Sequence, residues 1–171
     1  MDTFTEVLDS VTSKGEKRMN TNQPQLNKSG SRSSLHVFLC HSSSDKLVVR
    51  NLYQHLRADG IDAWLDEEKL LPGQDWHLEI RKAVRSSHAV LVCLSQASIN
   101  KIGFVNKEIK YALDVADEQP EGAIFIIPVK LEECVMPDRL RAWQWVNLFE
   151  PNGYERLMRA LQTRAQALGL S

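Results

Sequence analysis

The chain has 171 residues, 43% of them apolar and 25% charged, which gives one globular domain enough apolar mass for a packed core. A formal net charge of -1 argues against nucleic acid as the main partner. The longest apolar runs, residues 88–94 and 123–129, fall far short of the roughly 20 residues that cross a bilayer, so no membrane span is expected.

The first residues, Met1-Asp-Thr-Phe-Thr-Glu-Val-Leu-Asp9, carry acids and no apolar run of the secretory type, which argues against a signal or transit peptide. Cys40, Cys93 and Cys134 are odd in number and far apart, and two of them fall in strand-like apolar runs. They read as buried thiols in a reducing cytoplasm rather than disulfide partners or metal ligands. Phe4, Val7, Leu8 and Val11 share one face at helical spacing, which makes a short amphipathic segment. Residues 10–34 are rich in Ser, Asn, Lys, Gln and Thr, with too few large apolar side chains to offset the entropy of ordering them. The expected organisation is a flexible segment over residues 1–34, dispensable for folding, and one domain over residues 35–171.

From residue 35 onward, short β-rich runs alternate with helical periods. Residues 35–40 predict a strand, and Ser42-Ser43-Ser44-Asp45 supplies cap residues for a helix that runs to Arg57 and stops at Asp59-Gly60. Residues 61–65 predict a second strand. The Leu70-Leu71-Pro72-Gly73-Gln74 stretch is a loop, since Pro and Gly break either regular structure, and Asp75 then caps a helix to about Arg85 with Trp76, Ile80, Ala83 and Val84 inward. The unbroken apolar run 89–94 marks a strand buried on both faces. After it comes a helix whose stripe is Val105, Ile109, Ala112, Leu113 and Ala116, with Glu108 about a quarter-turn off that stripe and Phe104 one turn before it. Residues 123–129 predict a buried strand and residues 144–148 a weaker one. A last helix over residues 154–168 buries Leu157, Leu161 and Leu168.

Five strands alternating with helices specify an α/β domain of flavodoxin-like, three-layer design, with a five-stranded parallel sheet and right-handed crossovers. Ligands of such sheets bind at the carboxyl ends of the strands, which here carry Cys40-His41-Ser42, Asp66-Glu67 and Leu94-Ser95. There is no Gly-x-Gly-x-x-Gly after the first strand and no Gly-x-x-x-x-Gly-Lys, which removes the dinucleotide fingerprint and the P-loop. A phosphoacceptor receiver needs an acidic pair after its first strand and an Asp ending its third, where this chain has His41-Ser42-Ser43 and Leu94-Ser95. The five histidines are scattered without metal-ligand spacing, so no metal is expected.

Four segments in order resemble the TIR (Toll/interleukin-1 receptor homology) domains. His36-Val-Phe-Leu-Cys-His-Ser-Ser-Ser-Asp45 resembles their first box. Asp62-Ala-Trp-Leu-Asp66 with Glu68-Lys-Leu-Leu-Pro-Gly-Gln-Asp-Trp76 is similar to their second strand and following loop. Phe104-Val-Asn-Lys-Glu108-Ile is similar to their aromatic-x-x-x-Glu helix, and Phe125-Ile-Ile-Pro-Val129 to their fourth strand. The resemblance covers residues 35–168, and its Leu-Pro-Gly-x-x-Trp form looks most like prokaryotic and NAD-cleaving members. It implies a catalytic glutamate at Glu108 in an enzyme that cleaves the nicotinamide–ribose bond of NAD, with NAD as substrate and no resident cofactor. It further implies that His41, Ser42, Asp66, Lys69, Trp76 and Phe104 line the NAD pocket, Phe104 standing where many catalytic members carry Trp. The other activity it implies is a noncatalytic scaffold that signals by self-association with other TIR domains through the loop of residues 67–74. Bland roles compete for each residue: Trp76 as a core anchor, Lys69 as a solvated charge, Asp66 as a strand cap, His41 as a partner for loop backbone.

Overall fold

The computed structural model describes residues 34–65, 71–100 and 104–170, and for residues 104–108 the backbone alone. Strand β1 (His36–Cys40) leads through a 3-10 turn (Ser43–Asp45) into α1 (Lys46–Ala58), followed by β2 (Asp62–Trp64), α2 (Trp76–Ser86) and β3 (Ala89–Leu94). Then come a short α3 (Gln96–Asn100), α4 (Phe104–Asp117), β4 (Ile126–Lys130), a 3-10 turn (Asp138–Leu140), β5 (Val146–Asn147) and α5 (Gly153–Ala167). The strands form one parallel sheet in the order β2-β1-β3-β4-β5, the flavodoxin-like three-layer arrangement that the alternation predicted.

Alternation along β1 divides the core. Val37 and Leu39 join α1 and α5 on one face, while Phe38 and Cys40 join α2 and α4 on the other. All six residues of β3 are buried, which is why the run reads as apolar without a period. Helix α1 ends where Gly60, at φ 85, lets the Ile61 amide return to the Leu56 carbonyl at 2.9 Å.

The structure corrects four expectations. Strand β4 starts at Ile126 rather than 123, because the chain is still leaving a turn at Gly122 (φ 78), and it extends to Lys130. Strand β5 is only Val146–Asn147, the part in register with Val129 and Lys130. Leu168 lies past the end of α5 and is 39% exposed. In α4 the buried described residues are Ile109, Ala112 and Val115, with Leu113 and Ala116 half-buried. Putting Val115 in the stripe turns its centre by roughly 40°, toward the side of the helix on which position 108 falls.

Candidate functional site

At the carboxyl end of β1 the chain turns through His41 and Ser42, both buried. Ser42 is extended (φ -83, ψ 151), and its side chain faces the amide of Ser44 at 3.5 Å and the hydroxyl of Ser44 at 3.0 Å. Its carbonyl accepts from the Asp45 amide at 2.9 Å and from His41 Nδ1 at 2.9 Å. Since a carbonyl only accepts, His41 Nδ1 carries a proton and is the donor. His41 therefore does satisfy loop backbone, and the same bond fixes its ring for any further role.

Behind this turn lies a buried polar network that no local sequence signal announces. The Ser95 hydroxyl donates to Asp45 Oδ1 at 2.7 Å, and the Ser98 amide donates to Ser95 Oγ at 3.1 Å. The Ser98 hydroxyl in turn meets both the Ser95 amide (2.8 Å) and the Ser95 carbonyl (2.9 Å). The ends of β1 and β3 are thus joined through side chains, which holds the His41-Ser42 turn against the sheet. Cys93 beside it is wholly buried, and its thiol is pushed far above the ordinary value by desolvation, with the Asp45 charge adding to the shift. It is an inert packing group, as its apolar run predicted.

The second feature is the entry to α2. Leu71-Pro72-Gly73-Gln74 forms a tight turn, closed by Gln74 N to Leu71 O at 3.2 Å and Leu71 N to Gln74 Oε1 at 2.8 Å. Gly73 takes φ 90 there, a conformation that only glycine adopts without strain. Asp75 caps α2 by accepting from Leu78 N at 3.1 Å. Trp76 is half-buried against the cluster that includes Phe38 and Ile80, with its ring edge-on to His77 at 4.8 Å. Its core-anchoring role is real, and part of its surface remains open.

Between α2 and α4 runs a groove of about 570 Å³ lined by Asp75, His77, Arg81, Lys110, Tyr111 and Asp114. Its far end is bridged by Arg85, whose Nη2 donates to both carboxylate oxygens of Glu118 at 2.9 and 2.7 Å. Positions 104 and 108 lie in the first two turns of α4, with 108 one turn ahead of Tyr111 and Ala112. The side chains of Phe104 and Glu108, and the whole of Asp66 and Lys69, lie outside the described residues. Of the residues singled out in the sequence, His41 and Ser42 meet at the end of β1, and Trp76 follows a groove residue, Asp75. His41 and Ser42 are not in the groove's described lining. No cluster of three or more His, Cys, Asp or Glu with metal-binding geometry occurs among the described residues.

A family profile described as "TIR domain" matches residues 37–161. Among solved structures, the TIR domain of the Toll-related receptor TRR-2 from Hydra magnipapillata superposes with a TM-score of 0.62 at 21% identity, covering 74% of this chain and 97% of that one. The TIR domains of the activated Roq1 resistosome, which recognises the pathogen effector XopQ, give 0.51 at 20% identity, with 81% and 86% covered. A prokaryotic SEFIR domain gives 0.57 at 19%, with 75% and 99% covered. No curated protein matches.

Proposed function

Since the chain belongs to the TIR domain family, we propose that it is an NAD+ nucleosidase, with Glu108 as its catalytic carboxylate. The observation that carries this reading is the open α2–α4 groove of about 570 Å³, within the range of small-molecule sites and one helical turn from position 108. Arg81 and Lys110 on its walls suit the diphosphate of a dinucleotide, and Tyr111 and the neighbouring Trp76 offer flat faces for its rings.

Cleavage of the nicotinamide–ribose bond sends the bonding electron pair to the pyridinium nitrogen, which leaves neutral, and positive charge develops on the ribose carbon and ring oxygen. Water then adds and loses a proton to give ADP-ribose, or an internal nucleophile of the same molecule closes a cyclic isomer. A fixed carboxylate beside the ribose stabilises that charge only as it appears, which is the condition for catalysis. A single carboxylate serves as electrostatic partner here, and no separate general acid is assigned. The flat ring of Phe104 would stack on the leaving base and keep water from screening Glu108.

The second reading, a noncatalytic scaffold that binds other TIR domains, is favoured by Leu71, which is 68% exposed on the Pro72-Gly73 turn. The two readings part at Glu108→Gln, which keeps the shape and removes the charge. Nicotinamide release from the concentrated wild-type protein should fall about 100-fold or more in the variant. Equal release from both, or none from wild type at any concentration, leaves the scaffold.

A further inference from the structure

The sheet ends at β5, and β5 is too short to cover its neighbour. Register pairs only Val129 with Val146 and Lys130 with Asn147, so the first half of β4 has no β5 partner. Pro128 helps to explain the stop. The Leu148 amide bonds to the Lys130 carbonyl, so Lys130 faces β5, and by alternation Pro128 and Ile126 face that side as well. A proline there offers no amide to extend the ladder.

The uncovered half opens into an apolar groove of about 270 Å³, walled by Ile124, Trp143, Trp145, Leu157 and Ala160 and rimmed by Arg156. Arg156 reaches Glu150 only at 3.9 Å, with both side chains about half exposed. Arg159, exposed one turn further along α5, adds a second positive charge on that side.

We propose that this groove is the docking site for the chain's own amphipathic segment, residues 4–11. Phe4, Val7, Leu8 and Val11 supply an apolar face for the two tryptophans, and Asp2, Glu6 and Asp9, with no Lys or Arg among residues 1–11, supply charge opposite to Arg156 and Arg159. The tether reaches. In a parallel sheet all strands start at one edge, so residue 34, just before β1, lies on the same edge as Ala123 and Ile124, just before β4. Three strand spacings from β1 to β5 come to about 15 Å, whereas a random-coil chain of 22 residues, the number between positions 11 and 34, spans about 26 Å. Tethering at that length keeps the segment at an effective concentration of about a millimolar, enough for a weak contact to be populated without any part in folding.

The test uses the full chain and the indole N–H resonances of its four tryptophans. Trp143 and Trp145 line the groove, while Trp64, stacked on Phe38 at 4.9 Å beside the opposite sheet edge, serves as an internal control. In a Phe4→Asp/Leu8→Asp variant the Trp143 and Trp145 signals should shift and the Trp64 signal should stay. Arg156→Glu should reproduce the shift, and adding Glu6→Arg and Asp9→Arg to it should reverse it. Unmoved Trp143 and Trp145 signals overturn the proposal. So does a shift that appears in wild type only as protein concentration rises, which would put a second copy of the chain in the groove.

Discussion

Ser95, at the carboxyl end of β3, gives its hydroxyl proton to Asp45 Oδ1 at 2.7 Å across 50 positions of sequence, with both residues buried. The bond joins the turn that carries His41 and Ser42 to the central strand, so it supports the site without belonging to it. Ser95→Ala leaves a buried carboxylate oxygen without this donor, and the cost should be about 1–3 kcal/mol in urea unfolding. A loss below about 0.5 kcal/mol would mean that the network adapts and the turn is held by other means.

His88 makes stability depend on pH. Its Nδ1 accepts the His36 amide at 2.9 Å, and its carbonyl accepts Arg164 Nε at 2.9 Å. Burial pulls its imidazole below the ordinary value, with the neighbouring His36 and Arg164 acting the same way. The nearby Asp62 is engaged by the His36 ring at 2.5 Å. The unfolded chain binds a proton near the ordinary imidazole value of about 6.5, and the folded one only at lower pH. Stability from this group is therefore whole above that value and is lost as pH falls toward the folded one. Melting scans from neutral to mildly acidic pH should show a steeper fall for wild type than for His88→Asn, whose side-chain oxygen can still accept the His36 amide. Parallel curves would rule the group out.

Gly153 begins α5 directly on the loop that follows β5. A Cβ there would stand 2.8 Å from the Leu148 Cα, with backbone rather than a flexible side chain in the way. Gly153→Ala should cost about 1–3 kcal/mol through forced separation of helix and sheet. A neutral result would show that α5 can slide.

The Leu71–Gln74 turn should control assembly rather than folding. Gly73 at φ 90 resists any larger residue, although a side chain there would meet nothing within 4 Å, so the penalty is conformational, about 1–2 kcal/mol. Gly73→Val or Pro72→His should lower concentration-dependent nicotinamide release while the circular dichroism spectrum stays native. Unchanged activity at every concentration would dispose of this role.

Much of the fold was legible because single elements announce themselves. β3 occupies residues 89–94 as read, its apolar run having no other explanation than burial on both faces. The slips occurred where tertiary pairing overrides pattern. Lys130 ends β4 although it is charged, since its stem is buried and its Nζ reaches Glu133 at 3.0 Å, and that contact cannot be seen in a hydropathy run. Val115 displaced Leu113 in the α4 stripe because the facing surface, not the largest side chain, decides which side is buried. At the site, His41, Ser42 and the Asp75 cap follow from strand ends and cap chemistry. The Asp45–Ser95–Ser98 network does not, because nothing in its sequence neighbourhood marks residues 50 apart as partners.

The parallel sheet also sets the order in which the chain can become safe. β3 pairs with β1 across 52 positions (Val37 to Ala89) and with β4 across 36 (Val90 to Ile126), and no hairpin lets it form early. Such non-local pairing is slow. On the ribosome, Ala-Val-Leu-Val-Cys-Leu emerges with β1 available on one side and nothing on the other until residues beyond 130 are free. For that interval the most apolar strand has an exposed edge and two half-covered faces, since α1 and α2 precede it while α4 and α5 are still to come. The protein's yield in cells should thus be governed by translation speed and chaperone supply across residues 95–130 more than by the stability of the finished fold.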